Sequence, residues 1–260
     1  MNIYIPIEIA HRELDSKILL ATLAASRNHK VIISDLKAIK EGSRRKLLSP
    51  GIFLDKSLTP NDIKTKFHQF LIENGFIVTS IDEENNLVNH GYDDFALDRF
   101  SEKTISQTSA IFGWGPEDVE TLKRIYPKHS SKIHMTGSPR IDLLNPLFIN
   151  YWTKPDIPTS KPYLLISGNF EVNDMKPMPE KVKAWRKGGY FKRDLKLFKR
   201  KFDLMGEHYK RMGSFIEAIQ YLSKNINEYD IILRPHPGEN INAWKIYLEN
   251  LQNVHVVREG

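Results

Sequence analysis

The chain has 260 residues, of which 40% are hydrophobic and 27% charged, and it contains no cysteine. That composition excludes disorder as the main state, and the missing cysteines exclude both a disulfide framework and thiolate metal ligation. The formal net charge of +6, with a pI of about 9.2, suits an anionic partner but speaks first to solubility.

The chain opens on Met1-Asn2-Ile3-Tyr4-Ile5-Pro6-Ile7, which has no basic stretch leading into a long apolar run. It does not read as a signal peptide, and no later stretch is long and apolar enough to span a bilayer, so a cytoplasmic protein is expected. Ile3 to Ile7 is β-rich. Leu14, Ile18, Leu19, Leu23 and Ala24 then recur at helical spacing, and Val31-Ile32-Ile33 is a compact apolar strand. Strand, helix and strand within 35 residues is how a parallel sheet with right-handed crossovers begins.

The alternation continues. Residues 51–54 read as a strand, and Pro60 opens a helix whose apolar face is Ile63, Phe67, Phe70 and Leu71 and which Gly75 ends. Strands are predicted at 76–79, 110–113 and 133–136, with a helix from Pro116 through Ile125. Residues 1–152 therefore read as an N-terminal Rossmann-like domain. Three prolines within 153–162 mark a connector. Beyond it, 163–167, 230–233 and 254–257 are strands, and Met205 to Leu222 and Ala243 to Leu251 are helices. Residues 163–260 thus read as a second Rossmann-like domain with fewer elements than a free-standing one. A truncated domain, or one covered by something else, is expected.

Open α/β sheets bind ligands at the carboxyl ends of their strands. The polar residues just past predicted strands are therefore the candidates: Glu8, His11, Arg12 and Glu13; Asp82, Glu83 and Glu84; Gly137, Arg140 and Asp142; Asn169 and Glu171; and Arg234, His236 and Glu239. The last set is the sharpest. Arg234-Pro235-His236-Pro237 puts a guanidinium and an imidazole on one turn stiffened by two prolines. Arginine pairs bidentately with phosphate oxygens, and histidine can donate to a phosphate or protonate it as it leaves. A helix following the turn would add partial positive charge. The plain alternative is a stiff loop carrying an incidental histidine.

The other sets have plain alternatives of equal weight. Glu8 is either a base or a helix-capping carboxylate; Arg140 and Asp142 form either a ligand-facing edge or a surface pair; and Asp82-Glu83-Glu84 reads as a solvated acidic turn. The nine histidines show no metal-ligand spacing. Walker A, dinucleotide-binding and nucleophile-elbow motifs are all missing. No metal and no cofactor is expected. Residues 181–201 are dense in Lys and Arg with interleaved aromatics, a mix that suits peripheral contact with an anionic membrane. Its plain alternative is a solvated insertion. Nucleic acid is disfavoured, because no recognition motif accompanies the charge.

Four segments together resemble the bacterial surface carbohydrate biosynthesis proteins. They are Ile3-Tyr4-Ile5-Pro6-Ile7-Glu8 with Arg12-Glu13-Leu14; Gly113-Trp114-Gly115-Pro116; Thr136-Gly137-Ser138-Pro139-Arg140-Ile141-Asp142; and Arg234-Pro235-His236-Pro237. The family is similar to GT-B-fold glycosyltransferases of capsule and lipopolysaccharide synthesis, with CMP-Kdo-dependent β-Kdo transferases as characterised relatives. The resemblance implies two Rossmann-like domains, the second incomplete here, and transfer of a sugar such as Kdo from a CMP-activated donor to a glycan or lipid-linked acceptor. It implies that Arg234 and His236 hold the donor phosphates, with Glu239, Asn169 and Arg140 as further donor contacts. It also implies that Glu8, Arg140 and Asp142 line the cleft between domains, and that catalysis draws on Glu8, Asp142 and His236. The competing readings are transfer of a polyol phosphate from a CDP donor and a non-catalytic scaffold at the membrane surface.

Overall fold

The computed structural model describes residues 1–82, 84, 91–153, 156–174, 176–187 and 195–258. The chain divides into two compact units, Met1–Trp152 and Thr153–Gly260, and both are α/β with all-parallel sheets.

The first unit contains β1 (Asn2–Ile7), α1 (Ala10–Ala25), β2 (Lys30–Asp35), α2 (Leu36–Arg44), β3 (Ile52–Asp55), α3 (Asp62–Glu73) and β4 (Ile77–Ile81). It continues through α4 (Tyr92–Arg99), α5 (Glu102–Ser106), β5 (Ala110–Gly113), α6 (Pro116–Ile125), β6 (Ile133–Met135) and α7 (Pro139–Asp142). The six strands form one sheet in the order β2-β1-β3-β4-β5-β6, a Rossmann-like arrangement. Tyr4 pairs with Ile32 on one side and Phe53 on the other, so β1 is central. The chain moves one way from β1 to β2, then reverses past β1 to β3. Right-handed crossovers therefore send α1 to one face and α2 to the other. The reversal leaves a crevice at the carboxyl ends of β1 and β3.

Two apolar clusters hold this unit. Tyr4, Phe53, Phe67, Leu71, Phe76 and Val78 pack where α2 and α3 cover the sheet. Leu58, Phe100, Ile105, Ile111, Leu122 and Ile133 form the other, under α4, α5 and α6. Each fully buried side chain of this kind stabilises the fold by about 1.5–3 kcal/mol. The starts of α2 and α3 are capped by side chains. Asp35 accepts from the N–H groups of Lys37 and Ala38, and Asn61 accepts from that of Lys64.

Two helices present a face other than the one periodicity predicts. In α1, Leu14, Ile18 and Leu23 are exposed, while Glu13, Ser16 and Lys17 are buried. Glu13 goes inward because Arg12 and Lys56 pair with it there. In α3, Ile63 is exposed, and Thr65 and His68 join Phe67 and Leu71 inside. Helices α2, α4 and α5 have no predicted counterpart: they are short and largely polar, and α2 buries only Ile39 and Ser43.

The second unit contains β7 (Tyr163–Ser167), α8 (Met178–Lys187), α9 (Leu195–Asn225), β8 (Asp230–Arg234), α10 (Ile241–Tyr247) and β9 (Val254–Val256). Its sheet runs β7-β8-β9. Helix α9 buries Met205, Met212 and Ile219, spaced seven apart, against Phe170, Leu233 and Trp244. It starts at Leu195, upstream of the predicted 205–222, inside the basic stretch. Helix α10 is shorter than predicted and ends at Tyr247. Pro162 accepts the N–H of Asp230, and the Thr159 hydroxyl donates to the Asp230 carboxylate at 2.5 Å. Residues read as connector thus pack on the start of β8.

Candidate functional site

The carboxyl ends of β1, β3 and β4 carry a continuous network of charges. Glu13, fully buried on the first turns of α1, accepts the Glu8 N–H at 3.0 Å with one oxygen. Its other oxygen takes Arg12 at 3.0 Å and the Lys56 ammonium at 3.3 Å. Lys56, one residue past β3, also reaches Glu8 at 2.6 Å. Arg12 continues to Glu84 at 3.7 Å, and Arg99 of α4 joins Glu84 at 2.9 Å to a two-pronged pair with Asp82. Asp82 is buried, so the first residue of the predicted acidic turn is not solvated. The reason is Arg99, which reaches it from 17 residues further along the chain.

A second cluster lies beside the first. Asp55, at the end of β3, receives the Lys64 ammonium and the imidazole of fully buried His68, each at 2.7 Å. These groups line a cavity of about 430 Å³ whose charged walls include Glu8, Asp55, Lys56, Lys64, Glu84 and Arg99. Leu36, Phe53, Ile63 and Phe67 supply apolar wall, and Ser57, Thr59 and Asn61 supply uncharged polar groups. Lys40 lies over the Phe67 ring, 5.2 Å from its centre. On the cavity wall itself, Lys40, Lys56, Lys64 and Arg99 stand with Glu8, Asp55 and Glu84, one more cation than carboxylate.

The carboxylates titrate in opposite directions. Burial pushes the Glu13 carboxyl up, but the Glu8 N–H, Arg12 and Lys56 outweigh it and hold Glu13 below the usual range. Burial also pushes Asp55 up, and His68 and Lys64 more than reverse it. Burial wins at Asp82, which lies above its usual value despite Arg99. Glu13 and Asp55, depressed in the folded chain, contribute stability that is fully present above the ordinary carboxylate pKa of about 4 and lost as pH falls through their folded values. Asp82, raised, acts in the opposite sense. Calorimetry between pH 5 and pH 2 is expected to show falling Tm, with a shallower fall in Glu13→Gln.

Further along the same sheet edge, Gly113-Trp114-Gly115 follows β5. The N–H groups of Trp114 and Gly115 donate to buried Asp118, each at 2.9 Å. A Cβ on Gly113 would fall 2.3 Å from Val119 Cγ2, so only glycine fits there. Thr136 and Gly137 both donate to the Gly113 carbonyl, which ties the loops after β5 and β6 together. Gly137 has φ of 83°, a left-handed conformation. Next comes α7, with Arg140 half-buried and Asp142 exposed. Helix α7 packs against α1, and the Tyr151 hydroxyl bonds Asp15 at 2.5 Å. The segment holding Arg140 and Asp142 therefore adjoins the helix that begins just after Glu8.

In the second unit, β8 runs into Arg234-Pro235-His236-Pro237. Arg234 and His236 are exposed and Pro235 is buried. Glu239 is buried and fixes the turn from below. It accepts the His236 N–H at 2.9 Å, the Trp244 indole N–H at 2.7 Å and the Asn173 amide at 3.4 Å. The Gly168 N–H donates to the Arg234 carbonyl, which brings the loop of exposed Asn169 beside the turn. His236 Nδ1 accepts the Gly238 N–H at 3.1 Å, so the neutral ring carries its proton on Nε2. Among the described residues no carboxylate pairs with Arg234, and nothing bonds His236 Nε2.

Of the predicted site residues, Arg234, His236, Glu239 and Asn169 meet around this turn, while Glu8, Arg12, Glu13, Asp82 and Glu84 meet in the first unit. His11 is exposed and makes no contact in that network. Glu83 and the side chain of Glu171 lie outside the described residues. Lys56, Lys64, His68 and Arg99 were not predicted. Asp55-Lys56 follows a predicted strand just as Glu8 does, and that signal could have found both. In the basic stretch, Lys181 is buried, Lys183, Arg186 and Lys199 are exposed, and residues 188–194 are not described. Among the described residues no group of three His, Asp or Glu side chains is placed to hold a metal, and no helix is long and apolar enough to cross a membrane. No protein-family model matches the chain, and no curated protein matches it either.

Proposed function

We propose that the chain is a nucleotide-sugar-dependent glycosyltransferase of GT-B type, acting in bacterial surface polysaccharide synthesis on the cytoplasmic side of the membrane. Its donor is a CMP-activated sugar such as CMP-Kdo. The observation that carries this reading is the turn at 234–239. Two cationic or donor groups, Arg234 and His236 Nε2, face outward from a backbone that buried Glu239 holds in place. Such preorganised donors stabilise charge that develops on a departing phosphate.

In the proposed reaction an acceptor hydroxyl attacks the anomeric carbon of the donor sugar. The bond from that carbon to the phosphate oxygen breaks, and CMP departs against Arg234 and His236. The acceptor proton passes to a carboxylate base. Glu239 acts through the turn and does not touch the donor. The exposed Lys183, Arg186 and Lys199 support contact with an anionic membrane, where a lipid-linked acceptor would reside.

The test is titration with CMP, followed by sugar transfer assays. Arg234→Ala and His236→Ala are each expected to weaken CMP binding by about 10- to 100-fold, the size of a lost charge-assisted hydrogen bond. Their Tm should stay unchanged, since both side chains are exposed. Binding of UDP-sugars alone, or CMP binding indifferent to both changes, defeats the proposal.

A further inference from the structure

We infer that the first unit carries a homodimer interface, formed by the outer face of α1 and the segment 143–152 beside it and occupied by a second copy of this chain. The interface does not depend on the transferase reading. Its centre is the inverted face of α1. Every Lys, Arg, Asp and Glu of that helix is buried or half-buried, while Ala10, Leu14, Ile18 and Thr22 are exposed. These four recur at every fourth position and form one uncharged ridge along the helix. A surface helix ordinarily turns its charges outward and its apolar stripe inward, and α1 reverses that order.

The ridge continues into a second apolar strip. Helix α7 packs against α1, and the Tyr151 hydroxyl donates to Asp15, whose neighbours along the helix are Leu14 and Ile18. The Trp152 indole N–H donates to the Leu143 carbonyl at 3.0 Å and folds the segment back on itself. Within it Leu144, Leu147 and Ile149 are each at least 70% exposed, and Tyr151 and Trp152 are nearly half exposed. At about 150–200 Å² for a fully exposed side chain of this size, these five with Leu14 and Ile18 present roughly 600–800 Å². The largest apolar patch on a typical monomer is about 300–600 Å², and each partner in a standard interface gives up about 800 Å².

Charge selects the occupant. The chain carries a net charge of +6 and in general repels its own copies. That repulsion vanishes on this face: between 133 and 153 the only Lys, Arg, Asp or Glu residues are Arg140 and Asp142, one of each sign. An anionic membrane draws on an excess of Lys and Arg, which this face lacks. A two-fold contact asks only that a patch match itself. An uncharged ridge at four-residue spacing does so, because two copies can interlock ridge into groove with their axes crossing at about −50°. Tyr151 and Trp152, beside the ridge, are of the aromatic kind in which such interfaces are enriched.

Sedimentation velocity on the full chain tests this. A species of twice 30.2 kDa is expected at about 10 μM chain, within the micromolar-to-picomolar span of interfaces of this size. Ile18→Glu and Leu147→Glu should each raise the dimer dissociation constant by about 100-fold or more, because each places an unpaired carboxylate in an apolar contact. Both side chains are exposed in the single chain, so both variants should keep the far-UV circular dichroism of the wild type. The chain has no cysteine, so Ile18→Cys introduces a lone thiol. Under mild oxidation it should form disulfide-linked dimers about tenfold faster than Leu47→Cys, whose side chain is more exposed but lies just past α2, outside the ridge. A wild-type chain that stays monomeric at about 100 μM overturns the inference. A dimer that either glutamate variant leaves intact overturns it too, as do equal oxidation rates for the two cysteine variants. Flotation on vesicles of phosphatidylcholine and phosphatidylserine that Leu147→Glu abolishes also overturns it, since the face would then be a lipid contact.

Discussion

Replacing Glu13 with alanine is expected to lower the unfolding free energy of the first unit by about 3 kcal/mol, and its Tm by about 6–12 °C. Glu13 is fully buried and accepts from three groups: the Glu8 N–H, Arg12 and Lys56. Removing it orphans a backbone donor and leaves Lys56 and Arg12 with fewer counter-charges in a partly desolvated place. Glu13→Gln keeps an acceptor for the Glu8 N–H but loses the charge, and is expected to cost about 1–2 kcal/mol. Thermal melts of both variants rank the two effects. Equal Tm values for wild type and Glu13→Ala would show that the network contributes nothing to folding. A double variant, Glu13→Ala with Lys56→Met, should cost less than the sum of the singles, because each single leaves a charge unmatched that the double does not.

The second large effect is expected at Trp244. Its side chain is fully buried, its ring packs on Phe170, Phe215 and Tyr247, and its indole N–H donates to Glu239. Trp244→Ala should destabilise the second unit by about 4 kcal/mol through the cavity it leaves. Trp244→Phe retains most of the packing and removes the hydrogen bond to a buried carboxylate, at a cost of about 2 kcal/mol. The phenylalanine variant is the more informative, because Glu239 also holds the His236 N–H. Loosening Glu239 should therefore weaken CMP binding in a protein that is still folded. Retained affinity in Trp244→Phe would mean that the turn keeps its shape without the indole hydrogen bond to Glu239.

The strands were the most legible part of this chain. Each is a short apolar run bounded by turn residues, too short for a helix and rich in β-branched or aromatic side chains. Helices α1 and α3 were legible as helices but not in their orientation. Periodicity marks where apolar residues recur, and the inward face of α1 instead carries Glu13 and Lys17, which no hydrophobic pattern identifies. Helix α2 has too few apolar residues to show a stripe. The Arg234–His236 turn was legible because its chemistry is contiguous in sequence. The first-unit site was not: Arg99 joins Asp82 from 17 positions away and Lys56 joins Glu13 from 43, and such pairs form only when the sheet brings their elements together. Glu239 stood out as polar and post-strand, but its burial beneath the turn depends on Trp244 and Asn173, which a single-residue reading does not connect to it.

The second sheet has a kinetic consequence. Tyr163 pairs with Asp230, 67 positions later, whereas Asn2 pairs with Lys30 only 28 positions later. Closing a loop costs about 0.6 kcal/mol more per doubling of its length, so joining β7 to β8 costs about 0.8 kcal/mol more than joining β1 to β2. Much of the intervening chain is α9, 31 residues long and about 46 Å from end to end. A helix of that length can coil within about a microsecond, well before two distant strands meet. Once it has coiled, the flexible links that remain between β7 and β8 are far fewer than the sequence separation suggests. The speed at which this sheet assembles is therefore governed from inside a helix that supplies none of its strands.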